Sequence, residues 1–321
     1  MLRVLVDKRI VNKFKKKKMK KKNLSLILLV DIVIGHWEWK DRHKDNKKPE
    51  YTPQEEFELR QAIYDDDLKR VKNLIKFKHD KNPVIGNFCQ MTALHLSAIH
   101  KKFKTFKFFT LISADPNPPL DPDCGKISGL HIAVKENAWN FILHYMQILP
   151  KRLRNPRDQA GNTPIHLGTQ LGRIDIVKYL SRQVDYVNVK NNNGDVSLHL
   201  AVRFQSFELV KFLASLDPRV NFTNVLKDTP IHEAAKVGNL EMVKFFHMRD
   251  KELMRLNKMG NSPLHYAAEV SFPIVKFIVD NVVDDKKAIG LKNKMNLTAI
   301  DIAIEAKNKV IFKFLENRLK N

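Results

Sequence analysis

A seven-residue phrase, Gly161-Asn162-Thr163-Pro164-Ile165-His166-Leu167, constrains this chain more than any other feature, because its core recurs along most of the sequence. The related phrases are Thr92-Ala93-Leu94-His95, Ser128-Gly129-Leu130-His131, Val196-Ser197-Leu198-His199, Thr229-Pro230-Ile231-His232, Ser262-Pro263-Leu264-His265 and Thr298-Ala299-Ile300-Asp301. Their last residues are 36, 35, 33, 33, 33 and 36 positions apart. A fixed period near 33 belongs to a solenoid, in which each unit buries its apolar face only by stacking on its neighbours.

Each phrase reads as a helix start. Thr163 is a good N-cap, its hydroxyl able to accept from an amide of the first turn. Pro164, Pro230 and Pro263 suit the first helical position, where a missing N–H costs nothing. Six residues after His166, Gly172 can close the helix in the left-handed conformation. Ile176, Val177 and Leu180 then form the stripe of a second helix. In other repeats Asn137 and Gln205 stand where glycine is expected, and the His265 repeat is one residue short. The second helix after His95 is aromatic, with Phe106 and Phe109 expected in the core and Phe103 and Phe108 half-exposed.

The phrases and their period resemble the ankyrin-repeat family, from about Glu55 to the C-terminus. The resemblance implies an all-α solenoid of helix-turn-helix repeats with hairpin-like loops, about eight in number counting degenerate ends. It assigns residues 51–321 to the repeat domain. Glu55 to Lys76 reads as an atypical first repeat without a Thr-Pro signature, and the last repeat, with Asp301 in place of His, reads as a polar cap. The motif histidines (His95, His131, His166, His199, His232 and His265) are expected to bond to backbone in the turn of a neighbouring repeat. A shared metal is excluded by spacing: packed helices lie about 10 Å apart, whereas ligand-to-zinc distances are about 2 Å.

The chain's formal net charge is +22, and residues 1–50 hold 16 Lys or Arg against 6 Asp or Glu. This stretch reads as a basic, disordered arm. Its Lys15, Lys16, Lys17, Lys18, Lys20, Lys21 and Lys22 form a candidate patch for nuclear localisation or for weak contact with nucleic acid or anionic lipid. The apolar segment Leu24 to Ile34 is too short to span a bilayer, which takes about 20 residues. No small-residue cleavage site follows it. Cys89 and Cys124 form no metal-ligand cluster and fit a reducing compartment, the cytoplasm or else the nucleus.

Catalytic signatures are missing from the sequence: no glycine-rich phosphate loop, no Cys/His pair at useful spacing, no nucleophile elbow. The chain therefore reads as non-enzymatic, with no cofactor and no small-molecule substrate expected. A solenoid offers an extended concave face instead. Five residues after the motif His, where the family usually has a polar residue, stand Leu171, Phe204, Val237 and Val270. Stacked, they make a candidate apolar ladder for a partner protein, rimmed by Arg203, Lys236 and Glu269. The leading reading is an interaction scaffold. The alternatives are the cytoplasmic repeats of a TRP-type cation channel, which this lysine-rich array also resembles and which would make the chain a truncation, and an anionic-surface binder working through the lysine run.

Overall fold

The computed structural model describes residues 51–320, apart from 77, 79, 81–82, 86–90, 114, 119 and 121–124. The lysine run, the Leu24–Ile34 segment and both cysteines lie outside the described residues.

Sixteen of the α-helices form eight antiparallel pairs. The pairs are α1 (Pro53–Tyr64) with α2 (Leu68–Ile75), α3 (Ala93–Ile99) with α4 (Phe103–Ile112), and α5 (Gly129–Lys135) with α6 (Trp139–Ile148). They continue as α7 (Pro164–Gln170) with α8 (Ile174–Ser181), α9 (Ser197–Arg203) with α10 (Phe207–Leu216), and α11 (Pro230–Lys236) with α12 (Leu240–Arg249). Next is α13 (Pro263–Val270) with α14 (Phe272–Asn281). A short extra helix, α15 (Asp285–Gly290), lengthens the last connection before α16 (Ala299–Glu305) and α17 (Lys309–Lys320). Among the described residues the β structure is confined to isolated bridges, Val84 to Thr92 being one.

Each inner helix, from α1 through the odd-numbered helices to α13 and then α16, packs on the next, and more closely than the outer helices pack on one another. Closer packing on one side bends such a stack toward that side. The outer helices supply the apolar stripe: Ile176, Val177 and Leu180 are buried, as are Met242, Val243 and Phe246. Phe106 and Phe109 are fully buried while Phe103 and Phe108 are only partly so. The turns between paired helices close through a left-handed residue, Gly172 at φ 64°, Asn137 at 54° and Gln205 at 56°. The short repeat omits that residue, and Ser271 alone joins α13 to α14 in extended conformation.

The motif histidine links one repeat to the next. His166 Nδ1 accepts from the Thr163 N–H at 3.2 Å, and the Thr163 hydroxyl lies 2.9 Å away. Across the ring, Nε2 lies 3.1 Å from the Asp195 carbonyl of the following repeat. A backbone N–H can only donate and a carbonyl only accept, so the ring is neutral with its proton on Nε2. His131 reaches the Asn162 carbonyl and His199 the Asp228 carbonyl in the same way. His95 and His232 use Pro118 and Arg255 instead. Thr163 and His166 form a capping box, in which the Thr163 hydroxyl faces the backbone of the first turn, as expected, and also meets the His166 ring.

One expectation is corrected in the first repeat. Its helix begins at Pro53 with Thr52 as N-cap, so the Thr-Pro signature is present as Thr52-Pro53. Glu55 takes the histidine's place, and its Oε2 accepts from the Thr52 N–H at 2.7 Å. Asp301 does the same for Thr298 at 2.8 Å. A carboxylate satisfies the N-cap amide as the imidazole does, which is why both end repeats dispense with histidine.

The sequence reading expected hairpin-like loops but not the asparagine bonds that build their tips. Asn191 Oδ1 accepts from the N–H groups of Asn193 and Asp195, closing the tip on itself. Asn224, Asn257 and Asn293 repeat this. Each then donates to the tip before it: Asn191 Nδ2 to Asn162, Asn224 to Asp195, Asn257 to Asp228 and Asn293 to Asn261. Backbone bonds run alongside, from Val225 N to Asn193 O, Lys258 N to Leu226 O and Lys294 N to Met259 O.

Gly129 at a proline position has a packing reason. A Cβ there would sit 2.0 Å from the Tyr145 hydroxyl oxygen. That hydroxyl is buried without a hydrogen-bond partner. Tyr145→Phe is therefore expected to raise stability by about 1 kcal/mol, since an unsatisfied buried polar group is removed. Gly129→Ala alone should cost about 2 kcal/mol by overpacking, and clearly less when Tyr145→Phe is also present. Urea unfolding of the four proteins in the cycle measures this, and strict additivity would refute the clash.

Burial pushes the His95 and His166 rings down from 6.5 to about 4, and the other four motif rings down as well. Between these values the unfolded chain binds more protons than the folded one. The stability contributed by the neutral rings is thus complete above pH 6.5 and is lost as the pH falls toward 4. Urea midpoints should drop steeply over that window, and a flat profile there would contradict the neutral-ring assignment.

Candidate protein-binding surface

The ends of four successive inner helices place the predicted ladder. Leu171, Phe204 and Val237 are the C-cap residues of α7, α9 and α11, and Val270 is the last residue of α13. At the C-cap the side chain has left the packed face of the helix. Leu171, Phe204 and Val270 are 42 %, 53 % and 49 % exposed. Val237 is half-buried. The end of α11 comes close to Val270: a Cβ placed on Gly238, next to Val237, would touch Val270 Cγ2 at 4.0 Å.

The rim differs from the expectation at one residue. Arg203 is not an open charge. Its Nη1 lies 2.9 Å from Asp195 and its Nη2 2.5 Å from Glu233 of the next repeat. Those carboxylates are 2 % and 4 % exposed, so the guanidinium neutralises two buried anions. Lys236, four residues after its own motif histidine, is exposed, with Nζ 5.7 Å from the centre of the Tyr266 ring. Glu269 is exposed.

Sequence reasoning missed the apolar residues at the tips. Leu226, Met259 and Met295, each two after a tip asparagine, are 48 %, 43 % and 62 % exposed. The signal was available, since Asn224, Asn257 and Asn293 follow the histidine period. Tip and ladder residues belong to one side of the stack, the side built from inner helices and hairpins.

The motif histidines and their N-caps Thr163, Thr229 and Ser262, with Pro164, Pro230 and Pro263, are buried in structure-building bonds. The paired ring nitrogens of His95, His131, His166, His199 and His232 leave them no role on this surface. Among the described residues no helix is long and apolar enough to cross a membrane.

A family model described as ankyrin repeats (3 copies) matches residues 130–224, 198–288 and 231–320. These matches cover more than half of the chain, and the chain belongs to the ankyrin-repeat family. Its fold is an all-α repeat solenoid, and repeats of this family generally serve as protein-protein interaction modules. No curated protein matches the chain significantly.

Removing the Arg203 guanidinium would strand Asp195 and Glu233 without their cation. Arg203→Ala should cost about 2 kcal/mol, below the 3–5 kcal/mol typical of a broken buried pair because the arginine is partly solvated. Lys236→Ala should leave stability unchanged. Thermal melting of both variants tests this assignment, and equal effects would refute it.

Proposed function

We propose that this protein is a non-catalytic interaction scaffold that binds a partner protein through the concave side of its repeat array. The column Leu171, Phe204, Val237 and Val270 carries the reading. Of four apolar side chains at one register position, three are exposed and the fourth, Val237, is half-buried against the core. Contiguous exposed apolar surface of this kind is what interaction sites use. On this reading residues 51–321 form the repeat domain of eight units with degenerate ends, residues 1–50 are an appended basic arm, and the setting is cytoplasmic.

The test is affinity capture from cell extract with the full chain, wild type beside Leu171→Asp/Phe204→Asp. Both positions are exposed, so circular dichroism and melting should be unchanged. A protein retained by the wild type and lost from the variant is the expected result. Unchanged retention would remove the ladder from the binding site.

A further inference from the structure

The position four residues after the motif histidine changes sign along the array. It is Arg203 on α9, Lys236 on α11, Glu269 on α13 and, after Asp301, Glu305 on α16. In the first of these gaps between inner helices the chain supplies its own cation, Arg203, held between Asp195 and Glu233. In the next, Lys236 lies beside Tyr266. In the last gap no cation of this kind is supplied. There a cavity of about 360 Å³ opens between α13, α16 and their hairpin tips, with Glu269 and Glu305 in its lining.

Three properties make this cavity more than a pair of surface acids. Among the described residues neither carboxylate has a hydrogen-bond or ion-pair partner, although the chain as a whole is strongly cationic. The cavity walls also include Met295, Leu297 and Ile302, apolar surface suited to an aliphatic stem. The third is His265, which lines the same cavity and is 1 % exposed. Its Nε2 has no hydrogen-bond partner, unlike the rings of His95, His131, His166, His199 and His232. The carbonyls of Leu291 and Leu297 lie near the ring without closing a well-formed bond.

We infer that the cleft between α13 and α16 receives a basic side chain, arginine or lysine, from a partner polypeptide lying along the concave face. The charged head takes up Glu269 and Glu305, as Arg203 takes up Asp195 and Glu233 two gaps earlier. The stem lies against Met295, Leu297 and Ile302, and the His265 Nε2–H, which a cation cannot accept, is left for a backbone carbonyl of the partner segment. The nearest cation of the preceding gap, Lys236, is beside Tyr266 and pairs with neither acid. The partner is thus a segment with a basic residue next to apolar ones, the apolar part meeting Val270, Val237 and Phe204. This inference rests on the concave-face reading.

The probe is a phage-displayed library of random dodecapeptides, selected on the immobilised full chain. Selected peptides should share an arginine or lysine at a fixed place beside apolar residues. In fluorescence polarisation, Glu269→Gln/Glu305→Gln should weaken such a peptide about tenfold, the scale of a charge-assisted contact. Replacing the peptide's basic residue by glutamine should have the same effect and add little on the double variant. Loss of binding with Leu171→Asp/Phe204→Asp but not with the glutamines would keep the concave-face reading and overturn the pocket. The opposite pattern would keep the pocket and overturn the ladder. Selection of peptides without a fixed basic residue, or of none, overturns the pocket as well.

Discussion

Everything in this array depends on one local bond, the acceptance of an N-cap amide by the side chain three residues later. In six repeats that side chain is an imidazole, in the first it is Glu55 and in the last Asp301. The bond satisfies an amide that the helix itself leaves unpaired, and from His131 to His265 it does so in the buried interior. Imidazole has a second nitrogen, so in five of the six histidine repeats, all but that of His265, the same ring also reaches the next repeat. A carboxylate does only the first task.

The hairpin tips form a second, parallel chain of bonds. The asparagine at the start of each tip closes its own turn through Oδ1 and reaches back to the previous tip through Nδ2. The histidine bonds run forward and the asparagine bonds run backward. Between them, adjacent repeats are held at both the helix starts and the loops, and register follows from hydrogen bonding rather than from apolar packing alone. The fixed register is what lets one sequence position become a column on the surface, whether Leu171 to Val270 on the helix ends or Leu226, Met259 and Met295 at the tips. It also lets a single column change from cation to anion, from Arg203 and Lys236 to Glu269 and Glu305, and so gives one end of the concave side a different chemistry from its middle.

Much of the fold was legible in the sequence because a repeat states its rule several times. The period, the helix starts at Pro164, Pro230 and Pro263, the left-handed closures at Gly172 and Asn137, and the buried pairs on the outer helices all follow from residue type and spacing. The first repeat was misread because Glu55 conceals the motif from a search for histidine, although it performs the same bond for Thr52. The role of Gly129 was also hidden, since its reason is the Tyr145 hydroxyl sixteen residues away.

The sequence by itself determined that the chain is an ankyrin solenoid, that its motif histidines are structural and that four apolar residues share one position. These are consequences of local backbone preference and period, which each repeat carries within itself. Only the tertiary structure decided which charges remain available. Arg203 and Glu269 occupy equivalent positions, yet one is consumed by two buried carboxylates and the other opens into a cavity without a partner. That difference arises from which residues the neighbouring repeat brings opposite them, and such a pairing exists only once the repeats have stacked.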